Sequence, residues 1–195
     1  MNKILRELKE HIPFAMLATV IALILVVVWY VLSKTTFTAY TETTFELFHS
    51  AHIFFSGIAS AAMFYKYKDK FFQALAVGIF STLTICILSD IIFPYLGGLL
   101  LGFDMHFHLS LIEEPLLIFG AVIIGSLIGI KKKVTKLPHF FHVFLTTFAS
   151  LLYLVAFGAS LSVIAAIGIF AIVAFSVVIP CCLSDIVLPL TFVKR

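Results

Sequence analysis

The chain has 195 residues, of which 62% are hydrophobic and only 12% are charged. An average soluble domain is about half apolar and about a quarter charged, and a globule of this length cannot hide so much apolar surface from water. The composition therefore excludes an ordinary soluble domain and predicts a chain that lies in a lipid bilayer. The basic residues form short separate clusters rather than one continuous stripe, so no nucleic-acid partner is predicted.

Six apolar segments each reach the length of about 20 residues that a helix needs to cross a hydrocarbon core. They lack the alternation of a lipid-facing barrel strand, so we predict an all-α integral membrane protein with six transmembrane helices. The predicted spans lie near residues 12–33, 44–65, 71–96, 112–130, 137–157 and 160–190. Residues 99–111 form the predicted extracytoplasmic loop between the third and fourth spans.

The lysines and arginines predict how these spans are oriented. Suppose that both termini lie on the same side of the membrane as the connections near residues 66–70 and 131–136. Twelve of the thirteen basic residues then lie on that side. Cytoplasmic segments carry an excess of lysine and arginine. We therefore predict a cell (inner) membrane protein that contacts membrane lipids and has cytoplasmic N- and C-termini.

Two patterns of unusual residues recur in the same order in both halves of the chain. Residues 86–94, CILSDIIFP, match residues 181–189, CCLSDIVLP, and residues 49–54, HSAHIF, match residues 139–144, HFFHVF. Histidine, aspartate and proline are uncommon inside membranes, so the matches indicate an internal duplication. Because each unit has three spans, the second enters the membrane from the opposite side. The prediction is a 3+3 inverted-topology repeat of residues 1–98 and 112–195.

The matching segments also carry the candidate metal ligands. Glu46, His49 and His52 follow one another at intervals of three residues, which places them on one side of a helix. A helical rise of about 1.5 Å per residue, counted from the cytoplasmic lysines, brings His49, Asp90 and Glu114 to one level near the outer boundary. Their counterparts are expected at the inner boundary, which predicts one polar cluster at each face. The candidate metal ligands are His11, Glu46, His49, His52, Asp90, Glu113, Glu114, His139, His142, Cys181 and Asp185.

Two further interpretations of polar residues stay open. His106 and His108, with Asp104, lie in the outer loop, where they are candidates for capturing an ion before it enters the membrane. The two Ser-Asp pairs, which precede Pro94 and Pro189, have a structural interpretation as well as one as metal ligands. In the structural interpretation, each pair marks the end of a transmembrane helix. Proline disfavours helix at the residue before it, and a carboxylate can accept hydrogen bonds from the freed backbone donors.

Imidazole and carboxylate groups, with a thiol nearby, are typical ligands of zinc, iron, manganese, nickel or cobalt, whereas calcium and magnesium prefer oxygen alone. The favoured hypothesis is therefore a small membrane transporter or facilitator for a divalent transition-metal cation rather than an enzyme. The sequence leaves open whether the chain forms a homo-oligomer.

Two alternatives to a metal transporter remain. In the first, an intramembrane metal-dependent hydrolase, His49, His52 and a carboxylate from Asp90 or Glu113 hold zinc and act on a lipid or peptide at the outer face. In the second, the chain is the substrate-binding membrane subunit of a vitamin-type transporter. For that role the spacing of Ala18 and Ala22 is compatible with docking of a partner helix.

Overall fold

The computed structural model describes residues 3–132, 136–160 and 162–182, and this part of the chain is helical and contains no strand. Side chains are described there except at residues 3–12, 14, 15, 136–140, 163, 164, 179, 181 and 182. The helices are α1 (Lys3–Leu32), α2 (Lys34–Tyr67), α3 (Phe71–Ile87), α4 (Phe93–Leu100), α5 (Ser110–Glu113), α6 (Pro115–Lys132), α7 (Lys136–Ala156) and α8 (Val163–Cys182). A π-helical turn, Leu88–Ile92, joins α3 to α4.

Three helical segments in the described ranges are long and apolar enough to cross a membrane. They are α2, the continuous run Phe71–Leu100 and α6, which coincide with the second, third and fourth predicted spans. The remaining predicted spans coincide with shorter apolar helices, Met16–Leu32, Phe141–Ala156 and Ala165–Val178. The protein is thus an all-helical chain whose composition and helix lengths are compatible with a membrane location.

Helix α2 begins ten residues before the start of the second predicted span. Only Ser33 separates it from α1, although the threonine-rich sequence after residue 34 has the polarity of a connection. The threonine hydroxyls bond to the helix itself, as in the 3.1 Å hydrogen bond that Thr38 donates to the carbonyl of Lys34. Phe37 packs edge-on against Trp29 of α1, with ring centroids 4.9 Å apart. Satisfied hydroxyls and this aromatic contact let the helix extend through a polar stretch.

The early start of α2 changes the position of the histidines along their helix. The sequence places His49 and His52 near the beginning of a span. In the structure they lie near the middle of a 34-residue helix. The helix begins before the first strongly apolar residues, from which the start of the span was predicted.

The third predicted span contains a change of helical geometry rather than a stop. The chain passes from α3 through the π-helical turn into α4, which contains Pro94 in its first turn and continues to Leu100. A proline in the first turn of a helix is tolerated because its missing N–H needs no intrahelical acceptor there. The wider turn before it, which holds Asp90, is a local distortion of the kind that is frequent at functional sites. The alternative that this motif ends the span does not hold at Pro94.

Helix α2 lies at the centre of the packing, in contact with α3, α6 and α7. Its contact with α6 depends on two glycines one helical turn apart. A Cβ atom at Gly125 would lie 2.2 Å from the carbonyl oxygen of Phe54, and one at Gly129 would lie 2.3 Å from that of Ile58. Both distances are shorter than any real contact, so the two backbones meet at these glycines. Small residues serve this purpose in membrane helix packing, where close approach maximises van der Waals contact.

The Gly125→Ala substitution should therefore destabilise the protein, by about 1–3 kcal/mol as is typical of overpacking. The matched control is Gly120→Ala on the same helix, because a Cβ atom at Gly120 meets nothing within 4 Å. Thermal unfolding in detergent, followed by circular dichroism, should show a lower melting temperature for Gly125→Ala alone. Equal melting temperatures for the two variants would contradict the close contact of α2 and α6.

Candidate metal centre

Two histidines from α2 and one aspartate from the π-helical turn form the core of the site. His49 and His52 project from the same side of α2 because they are three residues apart. The Nδ1 atom of His49 lies 2.8 Å from Oδ2 of Asp90, and the Nδ1 atom of His52 lies 2.6 Å from the same oxygen. Because an ionised carboxylate only accepts hydrogen bonds, both Nδ1 atoms carry the hydrogen in this arrangement.

The second carboxylate oxygen of Asp90 is occupied as well. Its Oδ1 atom accepts hydrogen bonds from the hydroxyl of Ser89 at 2.8 Å and from the hydroxyl of Thr146 on α7 at 2.7 Å. Ser150, one turn further along α7, donates to the backbone carbonyl of Ser89 at 3.0 Å. The aspartate therefore ties the π-helical turn to both α2 and α7, and four donors compensate its removal from water.

A second set of groups faces the opposite edge of the His52 ring. The Nε2 atom of His52 lies 2.9 Å from Nδ1 of His142 on α7. The Sγ atom of Cys86, on α3, lies 3.6 Å from the same Nε2 atom. His52 is thus the central residue of the site, since each of its ring nitrogens contacts a different group of side chains.

The site is sealed from solvent within the described structure. His49, His52, Asp90 and His142 each have 0% of their surface exposed. The Nε2 atom of His49 is buried and has no hydrogen-bond partner among the described residues. A buried polar atom without a partner costs free energy that a bound ligand can recover.

The described groups can hold a metal ion. His49, His52 and Asp90 can each offer one ligand atom, and these atoms lie within 4.8 Å of one another. Two imidazole nitrogens and a carboxylate oxygen form a ligand set that suits a borderline transition metal better than calcium or magnesium. The three residues belong to the predicted ligand set, and the structure brings them together as the sequence indicates.

The remaining acidic residues of the predicted outer cluster lie around His108 instead. The Nε2 atom of His108 is 2.5 Å from a carboxylate oxygen of Glu46, and its Nδ1 atom is 3.0 Å from a carboxylate oxygen of Glu113. Phe157 stacks on the imidazole ring, with centroids 4.4 Å apart. Glu46 also accepts a hydrogen bond from the hydroxyl of Ser110 at 2.8 Å. Contrary to the sequence-based prediction, Glu46 and Glu113 therefore do not bind the same group as His49. Both carboxylates contact His108, which lies in a loop.

The other two outer-loop candidates and the second glutamate of the pair are accessible. His106 and Asp104 are exposed, whereas His108 is buried and contacts Glu46 and Glu113. Glu114 is also exposed and lines an open groove of about 400 Å³ between α2 and α6. Glu42 and Glu46 line the same groove. Its walls therefore carry three carboxylates close to the helix that holds His49.

Four predicted ligands cannot be placed in this site. His11, His139, Cys181 and Asp185 lie outside the part of the chain whose side chains the structure describes. His142, which the sequence assigns to a separate inner cluster, contacts His52 directly. The prediction of one cluster at each face is thus wrong for His142. The reason is that α2 and α7 pack closely along their lengths and bring the two segments to one place.

The predicted ligand set contains neither Thr146 nor Cys86, which the structure places at the site. Thr146 lies one helical turn after His142, so the spacing of four residues could have indicated that both side chains share one face of α7. Cys86 lies four residues before Asp90 in the repeated pattern, which was a comparable signal. Comparison with protein families, with curated proteins and with solved structures finds no significant match to this chain.

Replacing Asp90 by alanine should destabilise the metal-free protein strongly. The two histidine Nδ1 donors and two hydroxyls lose their shared acceptor, and each buried donor left without a partner costs about 1–3 kcal/mol. Thermal unfolding in detergent with a chelator present measures the effect. Asp104→Ala, at an exposed aspartate, is the matched control and should melt with the wild type. An unchanged melting temperature for Asp90→Ala would show that the carboxylate does not hold these helices together.

Proposed function

We propose that this protein is a small membrane transporter or facilitator for a divalent transition-metal cation, and that His49, His52 and Asp90 bind the ion during passage. The observation that carries the proposal is the burial of three ligand residues on two membrane-compatible helical segments, His49 and His52 on α2 and Asp90 in the run Phe71–Leu100. A carboxylate and two imidazoles are expensive to remove from water and lipid, and residues of this kind in apolar helices usually mark an ion pathway.

The position of the site along α2 supports the transport proposal. Carriers built from inverted repeats bind their ion near the middle of the bilayer, where the two units meet. His49 and His52 lie near the midpoint of α2, and the site includes groups from both halves of the chain. A site at one face, as predicted from the sequence, would have suited this mechanism less well.

The helix packing supports six spans arranged as an inverted repeat. The first helix of the N-terminal unit, α1, packs against α7 and α8 of the C-terminal unit. The first helix of the C-terminal unit, α6, packs correspondingly against α2 and α3 of the N-terminal unit. This exchange of first helices is expected if two copies of one unit interlock about a two-fold axis. His52 and His142, which correspond in the two matching segments, also contact each other.

The acidic groove provides an approach for cations. Glu42, Glu46 and Glu114 line an opening between α2 and α6, and Glu46 is only one helical turn from His49. Carboxylates grouped in a cleft with apolar walls raise the local concentration of cations. The groove therefore accounts for the predominance of acidic residues at this end of the molecule.

The two alternative functions gain less from the structure. A hydrolase needs a ligand position open to water and a carboxylate base, whereas the described site is buried and Glu113 is engaged by His108. Ala18 and Ala22, the predicted docking surface for a partner subunit, are buried within the chain itself. No observation favours either alternative over the transporter.

The proposal is tested by metal binding and by flux. Purified protein freed of metal should bind zinc or cobalt in equilibrium dialysis, and proteoliposomes should take up the ion faster than protein-free vesicles. His49→Ala and His52→Ala each remove a ligand and should lower the affinity at least tenfold, in line with the loss of about 10–100-fold that even indirect ligand contacts produce.

The control variant for these measurements is His106→Ala, which removes an exposed histidine from the outer loop. It should bind and transport like the wild type. The proposal fails if the wild-type protein binds no transition metal, or if vesicles containing His52→Ala take up the ion as fast as those containing wild type.

A further inference from the structure

We infer that His52, His142 and Cys86 form a second metal-binding position that lies across the His52 ring from Asp90 and takes a thiophilic cation such as Zn²⁺. The inference rests on the proposed function and specifies the path of the ion within the same site. It follows from the contacts of the two nitrogens of His52. Nδ1 faces Asp90 at 2.6 Å, whereas Nε2 faces His142 at 2.9 Å and the Cys86 sulfur at 3.6 Å.

The distances from Nε2 of His52 to its two neighbours are close to those between ligands of one tetrahedral ion. With bond lengths of about 2.0–2.1 Å to nitrogen and about 2.3 Å to sulfur, neighbouring ligand atoms lie roughly 3.3–3.6 Å apart. The separation of the His52 nitrogen from the Cys86 sulfur, 3.6 Å, already has this value. The two imidazole nitrogens, at 2.9 Å, need to separate by only about 0.4 Å, which a small ring rotation supplies.

The three groups come from three different helices and are fully buried. His52 lies on α2, Cys86 on α3 and His142 on α7, and each has 0% of its surface exposed. Such a set is held by the fold rather than by one flexible segment. Two nitrogens and one sulfur are softer ligands than the pair of imidazoles and carboxylate on the other side, so the second position discriminates against manganese and magnesium.

Asp90 has a distinct role when the ion is at the second position. A histidine that binds metal through one ring nitrogen almost always donates the hydrogen of the other to a carboxylate or carbonyl, which fixes the ring and raises its basicity. The 2.6 Å contact from Nδ1 of His52 to Asp90 provides that acceptor. Cys86 loses its proton when the sulfur–metal bond forms. Nδ1 of His49, which no longer binds the ion and lies 2.8 Å from Asp90, accepts a proton in exchange.

The two positions exclude each other, because a neutral imidazole offers a lone pair on only one nitrogen at a time. An ion held by His49, His52 and Asp90 therefore leaves Nε2 of His52 protonated and directed at His142. An ion held by Cys86, His52 and His142 leaves Nδ1 protonated and directed at Asp90. His52 thus passes the ion from a position built by the N-terminal unit to one shared with α7 of the C-terminal unit.

Cobalt binding tests the second position on the full chain in detergent. Cobalt bound by a thiolate shows a sulfur-to-metal charge-transfer band in the near ultraviolet in addition to its weak visible bands. The wild type should show this band, and Cys86→Ser should lose it while the visible bands remain. Cys181 and Cys182 stay present in that variant, and the matched double variant Cys181→Ser/Cys182→Ser should keep the band.

X-ray absorption of the zinc-loaded wild type needs no variant and should show one sulfur ligand. Visible bands without a charge-transfer band, or a zinc shell without sulfur, would overturn the second position and leave the proposed metal transport standing. Complete absence of cobalt and zinc binding would overturn both. A charge-transfer band that survives in Cys86→Ser and disappears in the double variant would also overturn the second position.

Discussion

The carboxylate of Asp90 is the group around which the described helices are arranged. A charge in an apolar interior costs several kcal/mol unless donors compensate it, and this one receives two imidazole and two hydroxyl contacts. Those donors come from α2, α7 and the π-helical turn itself. None of these three segments can shift along its neighbour without breaking a hydrogen bond to Asp90.

The composition and periodicity of the sequence were sufficient to predict an all-helical chain and the location of its apolar segments. The sequence was also sufficient to identify His49, His52 and Asp90 as candidate ligands, because polar residues at helical spacing are conspicuous in an apolar chain. The start of the helix that carries the two histidines was not predictable in the same way. Whether the threonine-rich residues after Lys34 continue the helix depends on contacts such as that of Phe37 with Trp29, which are tertiary and leave no periodic signal.

The residues that contact the site could not be predicted from the sequence either, for two physical reasons. His108 lies in a loop, where no period relates a residue to its neighbours in space, yet its ring contacts both Glu46 and Glu113. The contact between His52 and His142 depends on how α2 and α7 cross. A count of residues from the lysine clusters treats every helix as straight and perpendicular to the membrane, and this assumption assigned the two histidines to opposite faces.

The contact between His52 and His142 bears on the proposed inverted repeat. Under the proposed inverted repeat, these residues occupy equivalent places in the two units, and residues related by a two-fold axis can touch only where that axis passes between them. An ion at this place is equally close to both units. Because alternating access requires each unit in turn to expose the same ion, ligands near the axis suit transport better than two distant clusters. The short His-x-x-His pattern is weak evidence by itself. The contact between its two copies connects it with a proposed mechanism that needs both.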